Sequence, residues 1–177
     1  IAAGMDGLWV IDQHVAHERI LFEQVLRQMN ANAVERQQLL LPIVLDLTPA
    51  QMVEFTRIEK ELAASGFDAE AFGPRSIAVK AAPSALGAGE VERVIADILE
   101  IAEQEMREVS FDGLRRDMAA SIACRAAIKI NNPLDAKRMQ WLLNELAGCE
   151  YPTSCPHGRP IALRYPTREI LKGFHRI

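Results

Sequence analysis

The apolar periodicity of this chain changes from one segment to the next and never settles into a repeat. That restricts it to a fold mixing helices and strands without regular alternation. Residues 7–12 (GLWVID) read as a short buried strand, and Val15 to Met29 as a helix in which Leu21, Phe22, Val25, Leu26 and Met29 recur at the helical period. Residues 39–47 (LLLPIVLDL) read as extended, with Pro42 marking an edge strand or a break. Thr48-Pro49-Ala50-Gln51 is a helix start: Thr48 can cap, Pro49 fits the first turn and Gln51 can complete a capping box. That helix runs to Ser65 and stops at Gly66. Residues 67–82 suggest a hairpin turning near Gly73-Pro74, residues 84–89 a loop, and Glu90 to about Arg107 a helix. A further helix starts near Phe111, and another at Asn132-Pro133 that ends at Gly148. The loop YPTSCPHGRP, a strand IALRY and a helical turn over 167–172 complete the chain.

This pattern predicts the α+β class rather than a doubly wound α/β sheet. The middle, 48–110, has its own helix–hairpin–helix pattern and few chemically loaded residues, while the flanks hold nearly all the His and Cys. Two lobes are expected: one from 1–47 and 111–177, and one from 48–110 inserted into it.

The 177 residues suffice for one large domain or two small lobes. No stretch reaches the roughly 18 apolar residues of a membrane span, and the first residues are too acidic for a secretion signal. The missing initial Met suggests a piece of a longer protein. Three cysteines without a secretory segment predict a reducing, cytoplasmic setting without disulfides. The formal net charge of -4 argues against tight, unassisted duplex binding, because phosphate neutralisation supplies most nonspecific affinity.

Chemistry-bearing residues gather on three segments. Asp12 and His14 sit where a strand passes into a helix; His14 and Glu18 share a helix face, and Glu23 follows. The stripe through Glu18 is otherwise apolar, so this carboxylate lies at the edge of the interior and needs a partner or a metal. Pairing with Arg19 or another arginine would serve equally. Cys155 and His157 in SCPHGRP can chelate one ion from a turn, or form a tight turn with a buried thiol. Cys124, on a helix beside Arg125, reads by itself as a core thiol. Together these residues could supply one or two ions: thiolate and imidazole favour Zn²⁺, carboxylates suit Mn²⁺ or Mg²⁺. Two ions would suit phosphodiester hydrolysis.

Four stretches resemble the motifs of the nuclease-type MutL C-terminal domain family. Asp12-Gln13-His14 with Glu18 and Glu23 resembles its DQHA-x2-E-x4-E motif, with Val15 in place of Ala; Ala123-Cys124-Arg125 its ACR motif; Cys155-Pro156-His157-Gly158-Arg159-Pro160 its CPHGRP motif; and Phe174-His175-Arg176 its FxR motif. The resemblance implies a dimerisation lobe with an external regulatory lobe, and nicking of one strand of duplex DNA stimulated by Mn²⁺, with Zn²⁺ in a structural or regulatory role. It implies that Asp12 and Glu18 are catalytic, and that Asp12, His14, Glu18, Cys124, Cys155 and His157 are metal ligands. Glu23 completes the motif. Arg125, Arg159 and Arg176 would orient ligands or contact phosphate, or pair with the site's carboxylates.

Gln37-Gln38-Leu39-Leu40-Leu41-Pro42 resembles the Q-x-[LI]-[LI]-x-P motif by which such domains bind the replication sliding clamp, through Gln37, Leu39, Leu40 and Pro42. A clamp would also hold an acidic domain on DNA by effective concentration. The implied partners are therefore duplex DNA, a second copy in a homodimer, the clamp, and the N-terminal ATPase domain of the same protein. The competing reading is a catalytically silent dimerisation module with a structural zinc.

Overall fold

The computed structural model describes residues 1–104 and 111–177. Among these the protein is mixed α/β, with six α-helices and two three-stranded antiparallel sheets. It packs as two compact units, Ile1–Ile20 with Ala127–Ile177, and Leu21–Ala126. The second unit takes in most of the first helix, the first strand of its sheet and the helix that carries Cys124.

The first unit is built on strands β1 (Ala2–Gly4), β2 (Gly7–Ile11) and β6 (Ala162–Pro166), in the order β1-β2-β6. Gly7 has φ +149°, and a Cβ there would lie 2.2 Å from the Tyr165 carbonyl oxygen, so the close approach of β2 to β6 requires glycine. The expectation of a buried strand over 7–12 is corrected by its exposure pattern. Leu8 and Val10 remain 39% and 40% exposed, opposite Tyr165 and Leu163 at 46% and 52%. Successive residues of a strand point to opposite faces, and Ile11, on the other face, packs with the core of Val15, Ala16, Ile20, Leu142, Leu146, Cys155 and Ile161.

Helix α1 (Gln13–Asn30) begins two residues earlier than Val15, because Asp12 Oδ1 accepts the amides of His14 (2.9 Å) and Val15 (3.1 Å). Helix α5 (Ala136–Ala147) corrects the predicted start at Asn132-Pro133: its cap is Asp135, which accepts the Arg138 amide at 2.7 Å. Asn132 is held in a turn instead, its N–H on the Lys129 carbonyl and its own carbonyl taken by Gln13 Nε2 at 2.7 Å. Helix α6 (Thr167–Gly173) follows β6 directly.

The second unit pairs β3 (Arg36–Asp46), β5 (Ser76–Pro83) and β4 (Asp68–Gly73) in the order β3-β5-β4. Its core joins Phe22, Val25 and Met29 of α1 to α2 (Pro49–Ala64), α3 (described over Val91–Gln104) and α4 (Phe111–Ala126). The expected end of α3 at Arg107 lies outside the described residues. The Thr48 capping box forms as predicted, and Gly66 after α2 takes φ +94°. Pro42 lies on an edge strand and inside a break: the register slips between Gln38, opposite Ala81, and Ile43, opposite Val79. Leu40 and Leu41 consequently stand out at 99% and 76% exposure. Among the described residues no helix is long and apolar enough to cross a membrane.

Candidate metal centre

Two local devices bring Glu18, Cys155 and His157 together. The helical period carries Glu18 onto the buried face of α1, where it is fully buried. The CPHGRP segment folds into a tight turn: the Cys155 N–H donates to the Arg159 carbonyl and the Gly158 N–H to the Cys155 carbonyl, each at 2.9 Å. Gly158 closes it at φ +81°. This geometry buries Cys155 to 1% exposure while His157 and Arg159 keep about half of their side chains in solvent, at 49% and 51%.

The Glu18 carboxylate accepts from both of these neighbours. His157 Nδ1 lies 2.7 Å from Oε1 and the Arg159 guanidinium 2.7 Å from Oε2. A carboxylate only accepts, so the Nδ1 position of His157 carries a hydrogen. One ligand atom each of Glu18, Cys155 and His157 lie within 4.8 Å of one another. A buried oxygen, a buried thiol and an imidazole at that spacing are donor types that could hold a metal ion, thiolate and imidazole being those that suit Zn²⁺.

The other expected site residues are placed as follows. Asp12 and His14 belong to the same unit but do not join the Glu–Cys–His group at that spacing. Asp12 caps α1, and its N–H donates to the Ile161 carbonyl at 3.0 Å. His14 Nδ1 donates to the Ile128 carbonyl at 2.9 Å, which leaves Nε2 as its acceptor. Cys124 and Glu23 belong to the second unit, Cys124 half-buried on α4 and Glu23 buried 3.8 Å from Arg27. Arg125 grips Asp97, with contacts of 2.9, 3.2 and 3.3 Å, a partner the sequence did not single out. That hydrogen bond, more than the accompanying charge attraction, holds its guanidinium more firmly protonated than usual. Arg176 is exposed after α6, its N–H on the Leu171 carbonyl. Gln37 is half-buried with its amide on the Leu86 carbonyl at 2.6 Å, Leu39 packs against the core, and Leu40 and Pro42 are exposed.

Two residues of the first motif carry no assigned role in the sequence reading. His17 Nδ1 accepts the Ile128 N–H at 2.9 Å, its ring 5.6 Å from and edge-on to Trp141. Burial, and then the charge of His14, push the His17 pKa below the ordinary 6.5. Gln13 Nε2 donates to the carbonyls of Lys129, Ile130 and Asn132 at 3.1, 3.2 and 2.7 Å. The signal available was spacing: His17 follows His14 by one helical turn.

These features define a mixed α/β domain with a buried glutamate, a thiol and an imidazole set around one point. The family described as the MutL C terminal dimerisation domain matches residues 1–134. The whole chain is 64% identical to the DNA mismatch repair protein MutL of Solibacter usitatus and 52% identical to that of Acidobacterium capsulatum. Over 98% of its length it is 40% identical to the MutL of Symbiobacterium thermophilum. It spans 27%, 27% and 28% of those three proteins. The chain belongs to the MutL C-terminal dimerisation domain family of DNA mismatch repair.

Proposed function

We propose that this domain is the metal-dependent endonuclease module of a mismatch-repair protein, nicking one strand of duplex DNA with Mn²⁺ and binding Zn²⁺ in a structural or regulatory role. The observation that carries the reading is the fully buried Glu18 facing Cys155 and His157. An ionised carboxylate is costly inside a protein unless paired or metal-bound, and an adjoining buried thiol adds nothing to an ion pair but completes a ligand set. Glu18, Cys155 and His157 would hold Zn²⁺, with Cys124 a further ligand by resemblance. Asp12, His14 and Glu18 would serve the catalytic ion, with Glu23 supporting. A divalent cation there supplies Lewis-acid charge and lowers the pKa of bound water, the chemistry that phosphodiester hydrolysis needs. The protein's own part is to fix these donors: Asp12 through the first turn of α1, Cys155 and His157 through the Gly158 turn. Arg159 already neutralises Glu18, and with Arg125 and Arg176 it completes the basic residues of the motifs.

A second copy would cover the open face of Leu8, Val10, Leu163 and Tyr165, making the unit that holds this sheet the dimerisation lobe. Residues 48–110 would be the regulatory lobe. The sliding clamp would take Leu40 and Pro42, with Gln37 and Leu39 behind them. With a net charge of -4, the domain would reach DNA chiefly through that tether. An ATPase domain would lie in the rest of the protein.

The silent dimerisation module with a structural zinc has one observation in its favour: Asp12 already has a structural task as a helix cap. Nicking of supercoiled plasmid with Mn²⁺ and clamp separates the two readings. Asn caps a helix as well as Asp, so Asp12→Asn removes the charge and keeps the fold. Nicking by the wild type and not by Asp12→Asn is expected; equal activities would favour the silent module.

A further inference from the structure

The backbone of one residue, Ile128, meets two imidazoles with opposite demands. Its carbonyl can only accept, so the His14 nitrogen 2.9 Å away, Nδ1, carries a hydrogen, and Nε2 is the nitrogen that can offer a lone pair. Its N–H can only donate, so the His17 nitrogen 2.9 Å away, again Nδ1, is bare. Both histidines lie on the first turns of α1, one turn apart, and clasp the same residue. The segment after Ile128 is fastened to the same helix end by Gln13, through the carbonyls of Lys129, Ile130 and Asn132. Trp141 of α5 braces the His17 ring from the side.

We propose that His17 is a positioning residue for His14: by accepting the Ile128 N–H it fixes that residue's backbone, and the Ile128 carbonyl then holds His14 in the Nδ1–H form with Nε2 presented for a cation. The last step rests on the ligand role given to His14 under Proposed function. A histidine that binds a metal through one nitrogen gains basicity and a fixed ring plane when the other donates to a carbonyl. Here that carbonyl belongs to a loop segment that Gln13 fastens on its far side, and the peptide on the near side of Ile128 is held through its N–H. His17 supplies the tie. It contributes no ligand atom to this arrangement, and its own geometry is spent on Ile128 and Trp141.

Two substitutions separate acceptor from packing. His17→Phe keeps a ring against Trp141 and removes the acceptor; His17→Asn loses the ring but offers an oxygen where Nδ1 stood. Imidazole ¹⁵N NMR of the metal-free protein reads the His14 tautomer directly. Nδ1–H is expected in the wild type and in His17→Asn, and loss of that single form in His17→Phe. Mn²⁺ affinity, from the free-ion EPR signal, should fall about tenfold or more in His17→Phe and recover in His17→Asn. A His14 that stays wholly Nδ1–H in a folded His17→Phe protein overturns the proposal. Unchanged Mn²⁺ affinity in His14→Ala would instead remove the ligand role of His14, and the tautomer measurement would still decide the part played by His17.

Discussion

Arg159→Ala tests whether Glu18 is held by an internal cation that a metal can replace. The Arg159 guanidinium brings a full positive charge to 2.7 Å from the Glu18 carboxylate, which has no exposed surface. A hydrogen bond to a charged group contributes about 1.5–3 kcal/mol. Arg159 is 51% exposed, so water takes part of its place and the lower end applies, about 1.5–2 kcal/mol. For a chain of 177 residues that lowers Tm by roughly 3–8 °C in EDTA. Zn²⁺ at about a hundredfold over its Kd stabilises a folded site by about 2.7 kcal/mol. Removing a nearby positive charge raises affinity for a cation, so the Zn²⁺-induced rise in Tm should be larger in Arg159→Ala than in the wild type. Glu18→Gln leaves one acceptor oxygen for two donors, so it should melt below the wild type in EDTA and gain little from Zn²⁺. Scanning calorimetry with EDTA and with Zn²⁺ measures all three. Equal melting of Arg159→Ala and wild type in EDTA would refute the internal pairing; an undiminished Zn²⁺ shift in Glu18→Gln would refute the carboxylate as ligand.

Gly7→Ala should cost at least about 2 kcal/mol, from strain at φ +149° and collision with the Tyr165 carbonyl; a urea midpoint like that of the wild type would contradict the β2–β6 register. Leu40→Ala should abolish stimulation of nicking by the clamp at unchanged stability, since Leu40 is 99% exposed. Gln37→Ala is the less clean probe, because it also strips the Leu86 carbonyl of its donor. Clamp stimulation surviving Leu40→Ala would discard the assignment. The lowered His17 pKa means that the unfolded chain binds more protons than the folded one just below pH 6.5. Its stabilising contribution is therefore whole above that value and is lost as pH falls through the folded one. The urea midpoint should drop more steeply between about pH 7 and pH 5 in the wild type than in His17→Asn, and parallel profiles would show that His17 does not titrate with folding.

What could be read from the sequence was what neighbours in the chain decide. Thr48-Pro49 announces α2 because a cap and its box act within four residues. Glu18 was expected at the edge of the interior from the period of Leu21, Phe22, Val25 and Met29, and it is buried on that face. The SCPHG segment signalled its turn through Pro156 and Gly158. Long-range partners left no such mark. The pairing of β2 with β6 joins residues more than a hundred positions apart, and with it came the open face that the buried-strand reading of 7–12 missed. Arg125 meets Asp97 through the packing of α4 on α3, which no spacing encodes. The start of α5 was misplaced because Asn132-Pro133 has the composition of a cap, but its backbone is already engaged by Gln13.

The register slip in β3 has a thermodynamic consequence. Leu39 to Pro42, four residues, stand opposite the single residue Lys80, with Gln38 paired to Ala81 on one side and Ile43 to Val79 on the other. Ordering a free backbone costs about 1–2 kcal/mol per residue, and for this stretch folding has already met much of that cost by anchoring both ends. Any partner gripping Leu40 therefore receives a preshaped segment, where a loose peptide of the same composition would first have to give up its freedom.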